Sequence, residues 1–157
     1  MRIHAAAQPR PLLLLACSGL KLDRPAKALD LYRGVMYGTY RAHVQPAAAP
    51  HLVILSALHG FISPDAVLAP YDQRMTPARA DDMLAHLGTR YLANGAWPQA
   101  FGDVLLAGGQ EYRRVMRGAL QWFADCKGIT PASVRETSGG IGRQRAQLGA
   151  FLRGQGI

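Results

Sequence analysis

Ser56, His59, Asp65 and Asp72 bring together the residue types that acid–base or glycosyl chemistry requires. The two carboxylates stand in the stretch Ser63-Pro64-Asp65 … Pro70-Tyr71-Asp72-Gln73-Arg74-Met75, which carries two prolines and little periodicity. A carboxylate held there can orient an attacking water or steady an oxocarbenium-like centre. Pro70 and Tyr71 give Asp72 the stiffer, more apolar setting, and the plain alternative is that both acids serve only their loop. Ser56 and His59 lack the Gly-x-Ser-x-Gly elbow of a hydrolase nucleophile. Cys17, after an apolar run, is a nucleophile candidate, although a cysteine so placed is more often a small buried hydrophobe. Cys17 and Cys126 alone make neither a disulfide scaffold nor a four-ligand zinc site, and the five histidines have no metal-ligand spacing. No metal or other cofactor is expected.

A second chemistry is anion binding. Ser138-Gly139-Gly140-Ile141-Gly142-Arg143 lies where a strand should give way to a helix. Bare backbone N–H groups there suit a phosphate. It is neither a Walker loop nor a dinucleotide fingerprint. Gly140 and Gly142, with Gly108-Gly109 and Tyr112 further upstream, are substrate-binding candidates.

These residues need a scaffold, and the pattern supplies an α/β one. Apolar runs at Leu12-Leu13-Leu14-Leu15-Ala16, Leu52-Val53-Ile54-Leu55, residues 103 to 107 and residues 133 to 137 read as buried strands. Helical spacing follows over residues 25 to 44, where Gly34 and Gly38 suggest two pieces. It returns over 77 to 94 behind a Thr76 cap and Pro77, then over 110 to 124 and 143 to 153. The expectation is one compact α/β domain, a small mixed or mostly parallel sheet flanked by helices, over residues 12 to 153. Residues 1 to 11 form an extension and 154 to 157 a tail. Every strand candidate ends in small or polar residues: Cys17-Ser18-Gly19, Ser56 to Gly60, Gly108-Gly109 and Ser138-Gly139-Gly140. In an open parallel sheet those ends share one edge, where ligands bind.

The chain of 157 residues carries a net charge of +8, and its 49% hydrophobic and 18% charged composition is that of a globular protein. Residues 113 to 157 hold +6 of that charge, including Arg113, Arg114, Arg117, Arg143 and Arg145. The expected reading is a phosphate-binding strip beside the cleft, weighed against a solvated basic face. No apolar run is long enough to cross a bilayer. Leu14-Leu15-Ala16-Cys17 after Arg2 and Arg10 imitates a lipoprotein cleavage site. The apolar core is five residues behind Pro9-Arg10-Pro11, too short for a leader. A cytoplasmic protein without a membrane partner is expected. The sequence does not fix its oligomeric state.

Two stretches carry a family resemblance. Cys17-Ser18-Gly19-Leu20-Lys21, Pro25-Ala26 and Asp30-Leu31-Tyr32-x-Gly34 form the first. Ile54-Leu55-Ser56-Ala57-Leu58-His59-Gly60-Phe61-Ile62-Ser63-Pro64-Asp65 with Pro70-Tyr71-Asp72 forms the second, and Gly140-Ile141-Gly142-Arg143-Gln144 adds a weaker third. Together they resemble an uncharacterised bacterial and phage domain family similar to the YaaA-type peroxide-stress proteins. The resemblance implies a YaaA-like α/β fold and nucleic-acid handling, DNA before RNA, or a nucleotide ligand, with base excision as one activity. Asp72 or Asp65 would then steady the sugar, and Ser56 and His59 would hold or protonate the base. Tyr71 would stack on the base, with Cys17, Ser18, Lys21, Asp30 and Tyr32 lining the site. His59 stands where tyrosine is also usual in the family, which speaks against an obligatory histidine acid. The alternatives are a non-catalytic DNA-binding stress-protection module and an enzyme of free nucleotides.

Overall fold

The computed structural model describes residues 9–92 and 95–154. Its centre is β1 (Leu12–Ala16), five residues buried without exception. An unbroken apolar run fits a strand covered on both faces, and β1 has a parallel neighbour on each side. On one side lies β3 (His51–Ser56), on the other β6 (Val104–Ala107). Beyond β6 comes β7 (Val134–Glu136), also parallel, and beyond β3 the antiparallel edge strand β4 (Gly60–Ile62). The sheet order is β4-β3-β1-β6-β7, a mixed and mostly parallel sheet in a single α/β domain. Leu12 to Ala16, the apparent leader, is thus the central strand.

Alternate side chains of the parallel strands point to opposite faces, and each face has its own core. Leu12, Leu14, Val53, Leu55, Val104 and Leu106 pack on one side. There they meet α3 (Pro77–Ala85) and α4 (Gln110–Lys127), through residues such as Met83, Val115, Met116, Ala119 and Phe123. Leu13, Leu15, Ile54, Leu105 and Ala107 face the other way. They meet α1 (Ala28–Leu31), α2 (Val35–His43) and α5 (Ile141–Leu152) through Leu31, Met36, Tyr37, Tyr40, Leu148 and Leu152.

Residues 25 to 44 do divide into two helices, with Gly34 as the N-cap of the second. Thr76 caps α3 by accepting the Arg79 N–H at 3.1 Å, with Pro77 behind it. That helix is shorter than the 77 to 94 expected: it ends at Ala85 and gives way to a π-helical turn, Leu87–Tyr91. The rest of that expectation, Ala93 and Asn94, lies outside the described residues, as do residues 1–8 of the extension and 155–157 of the tail. Helices α4 and α5 begin at or slightly before the expected positions, and α4 runs on to Lys127. The proline-bearing stretch contains β5 (Val67–Leu68), which pairs antiparallel with β2 (Ala26–Lys27) and ties the loop over α1. Among the described residues, no helix is long and apolar enough to cross a membrane.

Deleting a methylene cluster from the doubly covered strand should be costly. Leu14→Ala is expected to lose about 3–5 kcal/mol in urea denaturation. Leu20→Ala, at a side chain 65% exposed, should stay within about 0.5 kcal/mol.

Candidate functional site

The parallel strands place Cys17, Gly108 and Thr137 at one edge of the sheet. From β1 the chain leaves toward the α2 face, and from β6 toward the α4 face, although the two strands are hydrogen-bonded neighbours. That divergence opens a crevice at the carboxyl ends of the strands, the position at which open α/β sheets bind ligands. The cavity measures about 360 Å³. Cys17, Ser18, Tyr37, Gly108, Tyr112 and Gln144 are among the residues that line it.

Three helices begin at this cavity. Each has a glycine N-cap, Gly34 for α2, Gly109 for α4 and Gly140 for α5, so none of the three caps has a side chain to accept from the N–H groups of its own first turn. The residues just inside, Val35, Met36 and Ile141, line the cavity, as does Gly109. The first N–H groups of a helix have no intrahelical acceptor and carry partial positive charge. Three such ends at one hollow make it attractive to an anion.

The sequence makes this convergence sterically feasible. Ser18 Oγ accepts the Gly34 N–H at 3.1 Å and donates to the Leu20 carbonyl at 2.7 Å, which pins the start of α2 to the end of β1. Gly108 has φ +149°, and a Cβ there would lie 2.6 Å from the Ala16 Cβ. The Gly108 N–H donates to the buried Thr137 Oγ1 at 3.1 Å, and that hydroxyl donates to Gln144 Oε1 at 2.9 Å. Gln144 Nε2 in turn reaches the Gly139 carbonyl at 3.0 Å. One hydroxyl thereby joins the ends of β6 and β7 to the first turn of α5.

Beside the cavity runs a chain of hydroxyls. Ser56 Oγ lies 2.6 Å from Tyr71 OH, which lies 2.5 Å from Tyr32 OH. Ser56 is fully buried and also accepts the N–H groups of Leu58 and His59, at 3.2 and 3.0 Å. It is therefore the hub of a turn. Lys21 Nζ sits 4.5 Å from the centroid of the Tyr71 ring, a cation–π contact, and His59 meets that ring edge-on at 5.3 Å. Tyr37 OH donates to the Ala16 carbonyl at 3.0 Å, and Tyr112 OH lies 3.3 Å from Cys17 Sγ.

Burial sets the electrostatics. It pushes the Tyr32 phenol up to about 12, against a smaller opposing effect of its hydrogen bond to Tyr71. It raises Tyr37, Tyr71 and Tyr112 well above the ordinary tyrosine range, with proximity to Cys17 acting in the same direction. Desolvation lowers the His59 imidazole, which disfavours its charged form.

The other expected site residues fall elsewhere. Asp65 and Asp72 are exposed and line no part of the cavity. Asp65 lies 4.0 Å from Lys27 Nζ. Asp30 itself is exposed on α1. Gly142 and Arg145 line a second hollow between α2 and α5. The three α4 arginines are engaged with acids. Arg113 and Arg117 both bind Glu136, at 3.2 and 2.6 Å, and Arg114 pairs with Glu111 and Asp81, each at 2.8 Å. Arg143 is exposed, with its stem against Gly139.

Gly34, Tyr37, Thr137 and Gln144 join the site without having been singled out as site residues. Gly34 carried a local signal, as a glycine interrupting a helical run, and Gln144 closed the weakest stretch of the family resemblance. Among the described residues, no three His, Cys, Asp or Glu side chains are grouped as metal ligands.

Residues 12–133 match DUF6884, a family of unknown function. The chain belongs to that family. The matched stretch of DUF6884 includes Cys17, Ser18, the Ser56–Tyr71–Tyr32 chain and Tyr112, while β7 and α5, with Thr137 and Gln144, follow it. No curated protein and no solved structure matches the chain.

Two outcomes follow from the hydroxyl chain. Ser56→Ala removes the acceptor of the Leu58 and His59 N–H groups and the Tyr71 hydrogen bond, and should cost about 1–3 kcal/mol in denaturant titration. A tyrosine whose pKa is raised by folding is protonated in the native state while the unfolded chain ionises. Stability should therefore be intact below pH 10 and fall as pH rises from about 10 toward 12. Urea titrations across that window should show a shallower fall in Tyr32→Phe than in the parent.

Proposed function

We propose that the crevice binds a phosphate-bearing small molecule of the nucleotide class, with the phosphate at the glycine-capped ends of α2, α4 and α5. The observation that carries this reading is the meeting of three helix N-termini, none capped by a side chain, at one cavity of about 360 Å³. A hollow of this size is in the range that small ligands occupy. Its position at the point where the chain leaves adjacent strands toward opposite faces is the usual one for nucleotides in this architecture. Tyr112, Tyr37 and Met36 offer aromatic and apolar surface to the remainder of the ligand. Cys17, Ser18 and Gln144 supply polar groups that can fix its orientation.

This reading favours a free ligand over a polyanion laid along α4, because Glu136, Glu111 and Asp81 already take up Arg113, Arg117 and Arg114. Base excision is the reaction that the YaaA-like resemblance suggests. It would call on Asp72 or Asp65, and neither carboxylate lines the cavity. The proposal is accordingly one of binding.

The test uses the exposed start of α5. Ile141 is 54% exposed at the cavity rim and is the first residue of that helix. Ile141→Glu places a carboxylate where the phosphate would bind, and a negative charge at a helix N-terminus is itself favourable by about 0.3–1 kcal/mol. The parent should gain thermal stability with mononucleotides, by about 2.7 kcal/mol at a hundredfold excess over Kd. The variant should match or exceed the parent's own melting temperature yet lose the ligand-dependent gain. Equal stabilisation of both proteins by the same nucleotide would remove the phosphate from this position.

A further inference from the structure

Two arginines outside α4, Arg145 and Arg153, lie on the opposite face of the sheet, around a second cavity. Helices α2 and α5 run side by side away from the crevice. Near their starts Gly34 and Ile141 share the crevice, and further along Thr39 and His43 face Arg145, Gly149 and Arg153 across a hollow of about 220 Å³. Neither helix contains an acidic residue. Neither Arg145 nor Arg153 has a carboxylate within salt-bridge reach among the described residues. Both are instead tethered by side chains that carry no negative charge. Arg145 Nε donates to Thr39 Oγ1 at 3.2 Å, and Arg153 Nη1 donates to His43 Nδ1 at 3.1 Å. Each tether uses one of five guanidinium N–H donors, so most of each fork remains available at the hollow.

Gly149 makes room for this arrangement. It is buried within α5, where glycine costs about 1 kcal/mol relative to alanine. A Cβ at this position would lie 2.9 Å from Arg153 Nη1 and 3.5 Å from His43 Cδ2. Gly142, earlier on the same helix, also lines the hollow. Two guanidinium forks along the α5 wall of a small cleft, each held by a side chain of α2 and neither neutralised by an acid, can together supply the donors that bind tetrahedral oxyanions.

We propose that the α2–α5 seam is a second anion site, separate from the crevice, that takes a phosphoryl group between Arg145 and Arg153. The phosphoryl group has two sources that present the same oxygens, a free phosphorylated small molecule and the phosphodiester of a polynucleotide.

The experiment is an amide and arginine-Nε NMR titration with inorganic phosphate at constant ionic strength, followed by a mononucleotide and a short oligonucleotide. Saturable shifts are expected at Thr39, His43, Gly149, Arg153 and the Arg145 Nε. In the double variant Arg145→Gln, Arg153→Gln the phosphate affinity at these residues should fall at least tenfold. Gly149→Ala keeps both charges and favours the helix, but fills the space beside Arg153, and should weaken binding at least threefold. This second variant tests the site even if the double variant folds poorly. Ile141→Glu should leave the seam shifts unchanged, so failure of the crevice reading and failure of this one register separately. Equal affinity for phosphate and oligonucleotide assigns the site to a free anion. Tenfold tighter oligonucleotide binding through the same residues assigns it to a phosphodiester. Absence of saturable shifts at the seam, or parental affinity in both variants, overturns the site.

Discussion

The parallel pairing of Leu12 to Leu15 with Val104 to Ala107 puts two strand ends next to each other while the chain departs from them in opposite directions. No side chain can fill the resulting gap from both sides, and the backbone must approach itself closely at Ala16 and Gly108. The hydrophobic cores on the two faces hold that geometry open. Each draws on alternate residues of the same strands, so neither face can shift without disturbing the other. The cavity, the three bare helix ends and the tyrosines around Cys17 are therefore a consequence of strand order more than of any local motif. What the local sequence adds is permission: glycines where the helices start, and Thr137 and Ser18 to join the ends.

The strand ends were legible because fully covered strands read as unbroken apolar runs, and Leu12 to Ala16 with Leu52 to Leu55 have little other use in a domain this size. The division at Gly34 was legible for the same local reason. Strands β2, β4 and β5 were not, since two or three residues acquire strand geometry only from a partner brought in by the rest of the fold. The site divides likewise. Cys17, Ser18, Gly108, Gly109 and Tyr112 stood at strand ends or just after them. Thr137 and Gln144 became members through hydrogen bonds that depend on how β7 and α5 return to the sheet. Ser56 was seen as a polar group at a strand end, but its burial and its two N–H donors were beyond a linear reading.

Charge shows the gap between composition and structure most clearly. The excess of +6 over residues 113 to 157 pointed to Arg113, Arg114 and Arg117, all within about one turn of one helix. Glu136 reaches two of them from β7, and Asp81 reaches the third from α3. Partners so distant along the chain leave no trace in a sequence window. Arg145, part of the same expected strip, and Arg153 are instead held by α2 side chains that carry no negative charge.

The hydroxyl chain beside the crevice has a direction. Ser56 Oγ has two lone pairs, and the amides of Leu58 and His59 occupy both. Its single proton is left to donate to Tyr71, so that phenol must be an acceptor on this side and is free to spend its own proton toward Tyr32. A tight turn in the main chain thus polarises a line of three side chains. The sense of that polarity is fixed before any ligand arrives, because reversing it would strip a backbone amide of its acceptor.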